Sequence, residues 1–227
     1  MEAKMNEIYF RGDLKVKDLE FTVEKRKGYF FAKRIFDIVS SGCALVVLSP
    51  VFLLTAAAIK LEDSKGPVVF SQIRVGKDGE PFKMYKFRSM YVDAEERLKE
   101  LQDQNEADGP VFKIKNDPRI TKVGRFIRKY SIDELMQLVN VFKGDMSVIG
   151  PRPALPKEVE EYDAFAKKRL TVKPGLSCYW QVSGRSNIGF DEWMHLDVKY
   201  IEEMSMLTDI KIVLKTIPAV LKGDGAC

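Results

Sequence analysis

From Ile38 to Ile59 the chain runs for 22 positions without a charged residue, whereas elsewhere apolar and polar positions interleave. A helix of that length is enough to cross a hydrocarbon core of about 30 Å. Ser49 and Pro50 interrupt the run in its middle. Proline removes a backbone donor and crowds the preceding turn, which predicts a kink or break there. Both flanks are basic, with Lys33 and Arg34 before the run and Lys60 and Lys65 after it. Positive charge stays on the cytoplasmic side. Equal claims from the two ends predict a segment that enters the membrane, bends at Ser49 and Pro50, and returns to its own side. The backbone groups released at the bend then need partners within the protein. A bent single span and a helix buried in a soluble core compete with this reading, and a cleaved signal peptide is disfavoured by the long polar stretch in front.

Residues 66–90 alternate apolar and polar positions about a turn containing Gly79, which predicts a β-hairpin. Its Lys86 and Arg88 share a face by the two-residue period, so both can approach phosphate; as the default, Arg74, Lys83, Lys86 and Arg88 are solvated strand positions. A charged helix is expected over Asp93–Gln104. Residues 111–131 then read as strand, turn at Asp117 and Pro118, and helix. Further helices are predicted over Pro156–Leu170, Phe190–Glu203 and Leu207–Leu221, the last two amphipathic and suited either to a core or to a membrane interface. The fold class is α+β, mostly helical with one small hairpin.

The stretch Arg128–Pro153 concentrates the candidate chemistry. Read as a helix from Ile132, it places Ile132, Leu135, Leu138, Val139 and Phe142 on one face and Asp133, Gln137 and Asn140 on another. Ser131 becomes the N-cap and Glu134 closes a capping box, a complete structural reason for both. That account leaves Asp133 unexplained, as it does Arg128 one turn upstream and Arg152 between Pro151 and Pro153. In the functional reading, a helix start keeps the Asp133 carboxylate ionised and attracts phosphate. An anionic nucleophile can approach a phosphate only if a divalent cation and guanidinium groups neutralise the phosphate oxygens first, and Glu134, Arg128 and Arg152 are suited to supply that neutralisation.

Composition narrows the setting. At 227 residues the chain suits one domain, and 45% hydrophobic with 31% charged residues is ordinary for a folded protein. The net charge of +4 fits an anionic membrane surface or phosphorylated substrates and is too weak to argue for nucleic acid. Cys43, Cys178 and Cys227 have no paired spacing, which fits a reducing compartment. His195 is the only histidine; it excludes zinc sites built on histidine pairs, disfavours histidine-based triads, and reads as structural. In the loop after Pro174 and Gly175, Tyr179 and Trp180 suit either base stacking or buried packing, and Gln181 and Arg185 are candidate nucleotide contacts.

Over residues 33–225 the chain resembles the bacterial sugar transferases, or monotopic phosphoglycosyl transferases. The blocks that carry the resemblance are KRIFDI, the Ser-Pro break, QIRVGKDGEPFKMYKFRSM, DPRITKVGRFIRKYSIDELMQL, NVFKGDMSVIGPRP, PGLSCYWQVSGR and LDVKYIEEMSMLTDIKI. The resemblance implies transfer of a sugar phosphate from a UDP-sugar to polyprenyl phosphate, with release of UMP. It makes Asp133 the nucleophile and Glu134 the Mg2+ ligand, with Arg128, Arg152, Lys86 and Asp197 at or around the active site, Asp197 in a supporting role at the metal or in holding the architecture. It also implies a re-entrant helix with both ends cytoplasmic and a monotopic protein at the cell membrane, acting in exopolysaccharide assembly with downstream glycosyltransferases as possible partners. The organisation that follows is a polar tail over 1–32, a membrane helix over 33–65 and a catalytic domain over 66–227. The chain departs from the family at Met136, where many members have proline, and at Cys178, where many have glycine. Lacking the four-helix membrane region of larger relatives, it resembles the minimal catalytic form. A membrane-bound UDP-sugar hydrolase and a catalytically silent anchor for polysaccharide enzymes are the alternative readings.

Overall fold

The computed structural model describes residues 26–104, 114, 116–184 and 188–222. Most of the expected tail, the expected strand at 111–115 apart from Ile114, and Arg185 lie outside them. Two helices open the described chain, α1 (Lys27–Val47) and α2 (Ser49–Glu62), bent by 59° at the single residue between them. The bend follows from the sequence: Pro50 has no N–H to offer the Val46 carbonyl, and the Ser49 hydroxyl donates to that carbonyl instead, at 2.8 Å. Among the described residues no single helix is long and apolar enough to cross a membrane, but the bent pair passes together by length and composition.

Helix α1 is inside out relative to a soluble helix. Its buried residues are Lys33, Asp37 and Ser41, spaced by four, while Phe31, Ile35, Val39, Val46 and Val47 are exposed. The helix begins at Lys27, six residues before the expected start, and Lys33 is not a solvated flank: its ammonium pairs with Asp209 at 2.7 Å. Arg34 donates to the carbonyls of Val141 and Phe142 at 2.7 and 2.8 Å, and Asp37 accepts from the Ser147 hydroxyl and the Val148 N–H. These polar anchors hold an apolar helix against the domain.

The predicted hairpin is present, with β1 (Val69–Val75) antiparallel to β2 (Pro81–Phe87). Asp93–Gln104 is helical only over α3 (Ala94–Leu98) and continues as 3-10 turns. Helix α4 (Lys122–Lys129) is capped by the Thr121 hydroxyl, and its first N–H groups, of Lys122 and Val123, donate to Glu62 at the end of α2. Helix α5 (Gln137–Lys143) follows a 3-10 turn over Ile132–Met136. Beyond it lies a parallel pair that the alternation pattern did not reveal, β3 (Ser147–Ile149) with β4 (Gly175–Ser177); three residues are too few to carry a period. Gly150 and Gly175 permit that pairing, since a Cβ on Gly175 would lie 2.1 Å from the Gly150 nitrogen.

The expected helix over Pro156–Leu170 is split into α6 (Pro156–Glu160), α7 (Ala164–Lys167) and a 3-10 turn, because Asp163 caps a fresh start by accepting the Ala166 N–H at 2.7 Å. Then come α8 (Tyr179–Ser183), α9 (Phe190–Glu203) and α10 (Met206–Lys222). His195 sits on α9 with its Nδ1 2.8 Å from the Asp191 carbonyl and its ring 4.7 Å from that of Phe165, a structural placement. On α10, Leu207, Ile210, Leu214 and Ile217 form an exposed apolar row, while Asp209 and Ile212 are buried.

Candidate active site

The acid pair lies on neither a capped α-helix nor a solvated surface. Ser131 adopts the left-handed conformation (φ 54°, ψ 23°), makes no side-chain cap, and launches a 3-10 turn, so the expected capping box is absent. The tight turn places Asp133 in a buried position, and Glu134 is drawn instead to Lys86 on β2, whose Nζ lies 2.8 Å from its Oε1. The polar face predicted for this segment turns inward: Asp133, Gln137 and Asn140 are all buried. Asn140 stitches α5 to β2, accepting the Tyr85 N–H and donating to the Lys83 carbonyl. That register carries Lys86 to the acid pair.

A cavity of ≈ 490 Å³ opens here. Lys86, Arg128, Arg152, Asp133 and Glu134 border it together, bringing five candidates to one place. Apolar side chains form much of the remaining lining, with Leu135 and Leu138 from the acid segment, Val148, Ile149 and Leu176 from the parallel strands, and Val213, Ile217 and Val220 from α10, interspersed with Ser131, Ser177 and Thr216. Burial raises the Asp133 carboxyl to about 6; Lys86 opposes the rise, Glu134 adds to it and Arg128 opposes it. The group is still mostly ionised at neutral pH.

Arg152 is held by its surroundings. Its guanidinium lies over the Trp180 ring at 5.6 Å, and Trp180 stacks on Trp193 with centroids 5.0 Å apart. Its carbonyl accepts from Arg169 at 2.9 Å, and the Pro153 carbonyl accepts from Arg74 at 3.0 Å. Gln181 borders the cavity and Trp180 does likewise, whereas Tyr179 turns away to donate to Glu203.

Asp197 does not border the cavity. It is fully buried in an ion pair with Arg169 at 2.6 Å, so its role in the fold is to hold the guanidinium that braces the Arg152 carbonyl. Burial pushes its carboxyl up, and Arg169 pulls it down. Arg88 lies one residue past β2 and pairs with Asp63 and the Pro67 carbonyl, away from the acids. Arg74, by default a solvated strand position, is buried instead: Arg74 and Val75 are buried consecutively at the end of β1, so alternation gives no signal there.

Two carboxylates and three cations thus share one cavity with apolar side chains. The chain belongs to the bacterial sugar transferase family, whose profile matches residues 28–223. It is 49% identical over 199 residues to the galactosyl transferase CpsE of Streptococcus agalactiae, covering 87% of this chain and 44% of that protein. It is 45% identical over 204 residues to the undecaprenyl-phosphate galactose phosphotransferase of Salmonella typhimurium, covering 86% and 42%. With the exopolysaccharide production protein ExoY of Rhizobium meliloti it shares 42% identity over 199 residues, covering 86% and 88%. The chain thus spans less than half of the first two relatives and most of the third.

Proposed function

We propose that this protein transfers a sugar 1-phosphate from a UDP-sugar to polyprenyl phosphate, releasing UMP, at the cytoplasmic face of a bacterial membrane. The observation that carries the reading is one cavity whose lining joins Lys86, Arg128, Arg152, Asp133 and Glu134 to apolar side chains of α10, a helix that also exposes Leu207, Ile210 and Leu214. A polar phosphodonor and a lipid phosphate both fit such a site. The relatives named for lipid-carrier phosphotransfer point the same way.

In the first step an Asp133 oxygen attacks the β-phosphorus of the donor. A bond forms from phosphorus to that oxygen, the bond to the bridging oxygen breaks, and UMP leaves with the electron pair. In the second step an oxygen of the lipid phosphate attacks the aspartyl phosphosugar, and the Asp133 carboxylate is regenerated as the polyprenyl diphosphate sugar forms. Lys86, Arg128 and Arg152 neutralise phosphate oxygens in both steps. Magnesium takes one or two carboxylates together with substrate phosphates. Glu134, beside Asp133 and part-exposed, matches that donor set, and no fuller cluster of metal-ligating side chains occurs among the described residues. When bound there, magnesium lowers the charge of the diphosphate.

The bent pair α1–α2 serves in this reading as a re-entrant membrane anchor. Both its arms are docked on the same domain, α1 through Lys33, Arg34 and Asp37 and α2 through Ile59 and Glu62. Val46, Val47, Leu53 and Leu54, around the bend, are each more than 70% exposed, as lipid contact requires.

The test is Asp133→Asn, which removes the nucleophile and preserves shape. It is expected to abolish both UMP release and covalent labelling by a donor carrying a labelled sugar. Sustained exchange in that variant removes Asp133 from the role, and free sugar phosphate formed without lipid acceptor turns the reading to hydrolysis.

A further inference from the structure

Five cationic side chains are buried among the described residues: Lys33, Arg74, Arg88, Arg119 and Arg169. Four have a carboxylate partner, in the pairs Lys33–Asp209, Arg88–Asp63, Arg119–Asp117 and Arg169–Asp197. Arg74 makes no ion pair among the described residues. Its Nη1 donates to the Pro153 carbonyl at 3.0 Å and its Nη2 to Gln72 Oε1 at 2.8 Å, both neutral acceptors, and its Nε has no partner. Glu158 and Glu134 act on Arg74 electrostatically without pairing with it. A buried guanidinium with no directly paired carboxylate is costly, and the cost is relieved when an anion binds.

The surroundings of Arg74 show where that anion goes. Arg74 and Gln137 border a recess of ≈ 10 Å³ that adjoins the main cavity through Lys86, Glu134, Arg152 and Gln181. That volume admits about one small atom group, the size of a water or a single phosphate oxygen. The charges count the same way. The lining of the two spaces carries four cations, Arg74, Lys86, Arg128 and Arg152, and two acids, Asp133 and Glu134, while Glu158 acts on Arg74 from outside the lining; such a predominance of cations suits an anion.

We infer that Arg74 is a phosphate-binding residue, receiving one phosphate oxygen of the nucleotide in this recess. Two sources supply phosphate in the proposed reaction, and the geometry favours the nucleotide. Asp133 borders the main cavity and not the recess. Attacking and leaving oxygens lie in line through phosphorus, so the side without the nucleophile belongs to the departing group. The apolar walls of α10 that suit a prenyl chain also border only the main cavity. The choice of nucleotide over lipid rests on the proposed transfer reaction, whereas the anion site itself does not.

The experiment uses the full chain in lipid nanodiscs and measures stabilisation against heat by UMP and, separately, by farnesyl phosphate. Two variants are compared with the unmodified protein. Arg74→Lys keeps the charge and loses the fork. Gln72→Glu gives Arg74 an internal carboxylate, a change that satisfies the buried charge and preserves the fold even if the first variant does not fold. Both are expected to weaken UMP binding about tenfold or more, the usual worth of a charge-assisted hydrogen bond, with farnesyl phosphate binding unchanged. Loss of the farnesyl phosphate response with UMP intact assigns the recess to the lipid and overturns the nucleotide assignment. Altered melting with both affinities intact means a purely structural Arg74 and overturns the inference. Arg74-dependent UMP binding in a protein that transfers no sugar phosphate leaves the inference standing while the proposed function fails.

Discussion

Asn140 carries no chemistry in the proposed reaction, yet the position of Lys86 depends on it. Fully buried, it accepts the Tyr85 N–H at 3.0 Å and donates to the Lys83 carbonyl at 2.6 Å, holding β2 in register beside the acids. Asn140→Ala leaves both backbone groups unmet and is expected to cost about 2–3 kcal/mol, read as a lower denaturant midpoint, with transfer activity falling in parallel. Asp117 makes the analogous case at the entry to α4. It accepts from Arg119 Nε at 2.9 Å, Nη2 at 2.6 Å and the Arg119 N–H at 3.0 Å. Burial alone would raise this carboxyl, but those bonds outweigh it and hold it below the usual aspartate range. A depressed folded pKa contributes stability above the unfolded value, and the contribution is lost as pH falls through the folded one. Asp117→Asn is therefore expected to lower stability by about 2 kcal/mol at neutral pH, with the difference from the unmodified protein vanishing in strong acid. Melting curves across the pH range check the sign; a constant difference would refute it.

Among the elements, α1 departs most from the habits of soluble helices. Its period is that of an amphipathic helix, but the buried stripe is polar and the exposed one apolar. Such a helix gains little from burying carbon in the domain, so its attachment falls to a few polar contacts. The strongest is a network in which Lys33, Tyr29 and Tyr200 all donate to Asp209. Lys33→Met leaves a fully buried carboxylate without its cation and is expected to cost about 3–5 kcal/mol. Adding Asp209→Asn to that variant recovers part of the loss, which a double-mutant cycle in melting measurements resolves. The neighbouring Arg34, by contrast, satisfies carbonyls at the end of α5, a bond to partial charges alone.

For the whole molecule, the consequential feature is that two separate elements, the bent pair around Leu48 and the helix that lines the cavity, both expose large apolar side chains. The bent pair exposes Leu53 and Leu54, and α10 exposes Leu214 on the helix whose other face lines the site. If the surface meets a bilayer, charge placed on it detaches the protein. Replacing Leu53 and Leu54 together by lysine exchanges favourable for unfavourable insertion at about 3 kcal/mol for each position. In vesicle flotation the variant is expected to shift from the lipid fraction to the soluble one while keeping its circular dichroism spectrum. Retention on vesicles at high salt would rule out this surface as the anchor.

Much of this was legible in the sequence, for reasons particular to each element. The break at Ser49 and Pro50 could be read because proline lacks an N–H in any context, and the hairpin because alternation about Gly79 is a local pattern. The acid pair stood out through its proximity in the chain to Arg128 and Arg152. What could not be read depends on partners distant in sequence. Ser131 and Glu134 satisfy the pattern of a capping box, but Lys86, 48 positions away, offers Glu134 a charge that a backbone N–H cannot match. Lys33 looked like a flank until Asp209, 176 positions later, drew it inward. For Asp197 the choice between assisting at a metal and holding the architecture could not be read from the chain, and its pairing with Arg169, 28 positions earlier, is architectural. Local backbone chemistry determined where elements begin, bend and turn; only tertiary structure decided which charges meet, because Coulomb partners are chosen by distance in space and the fold alone sets that distance.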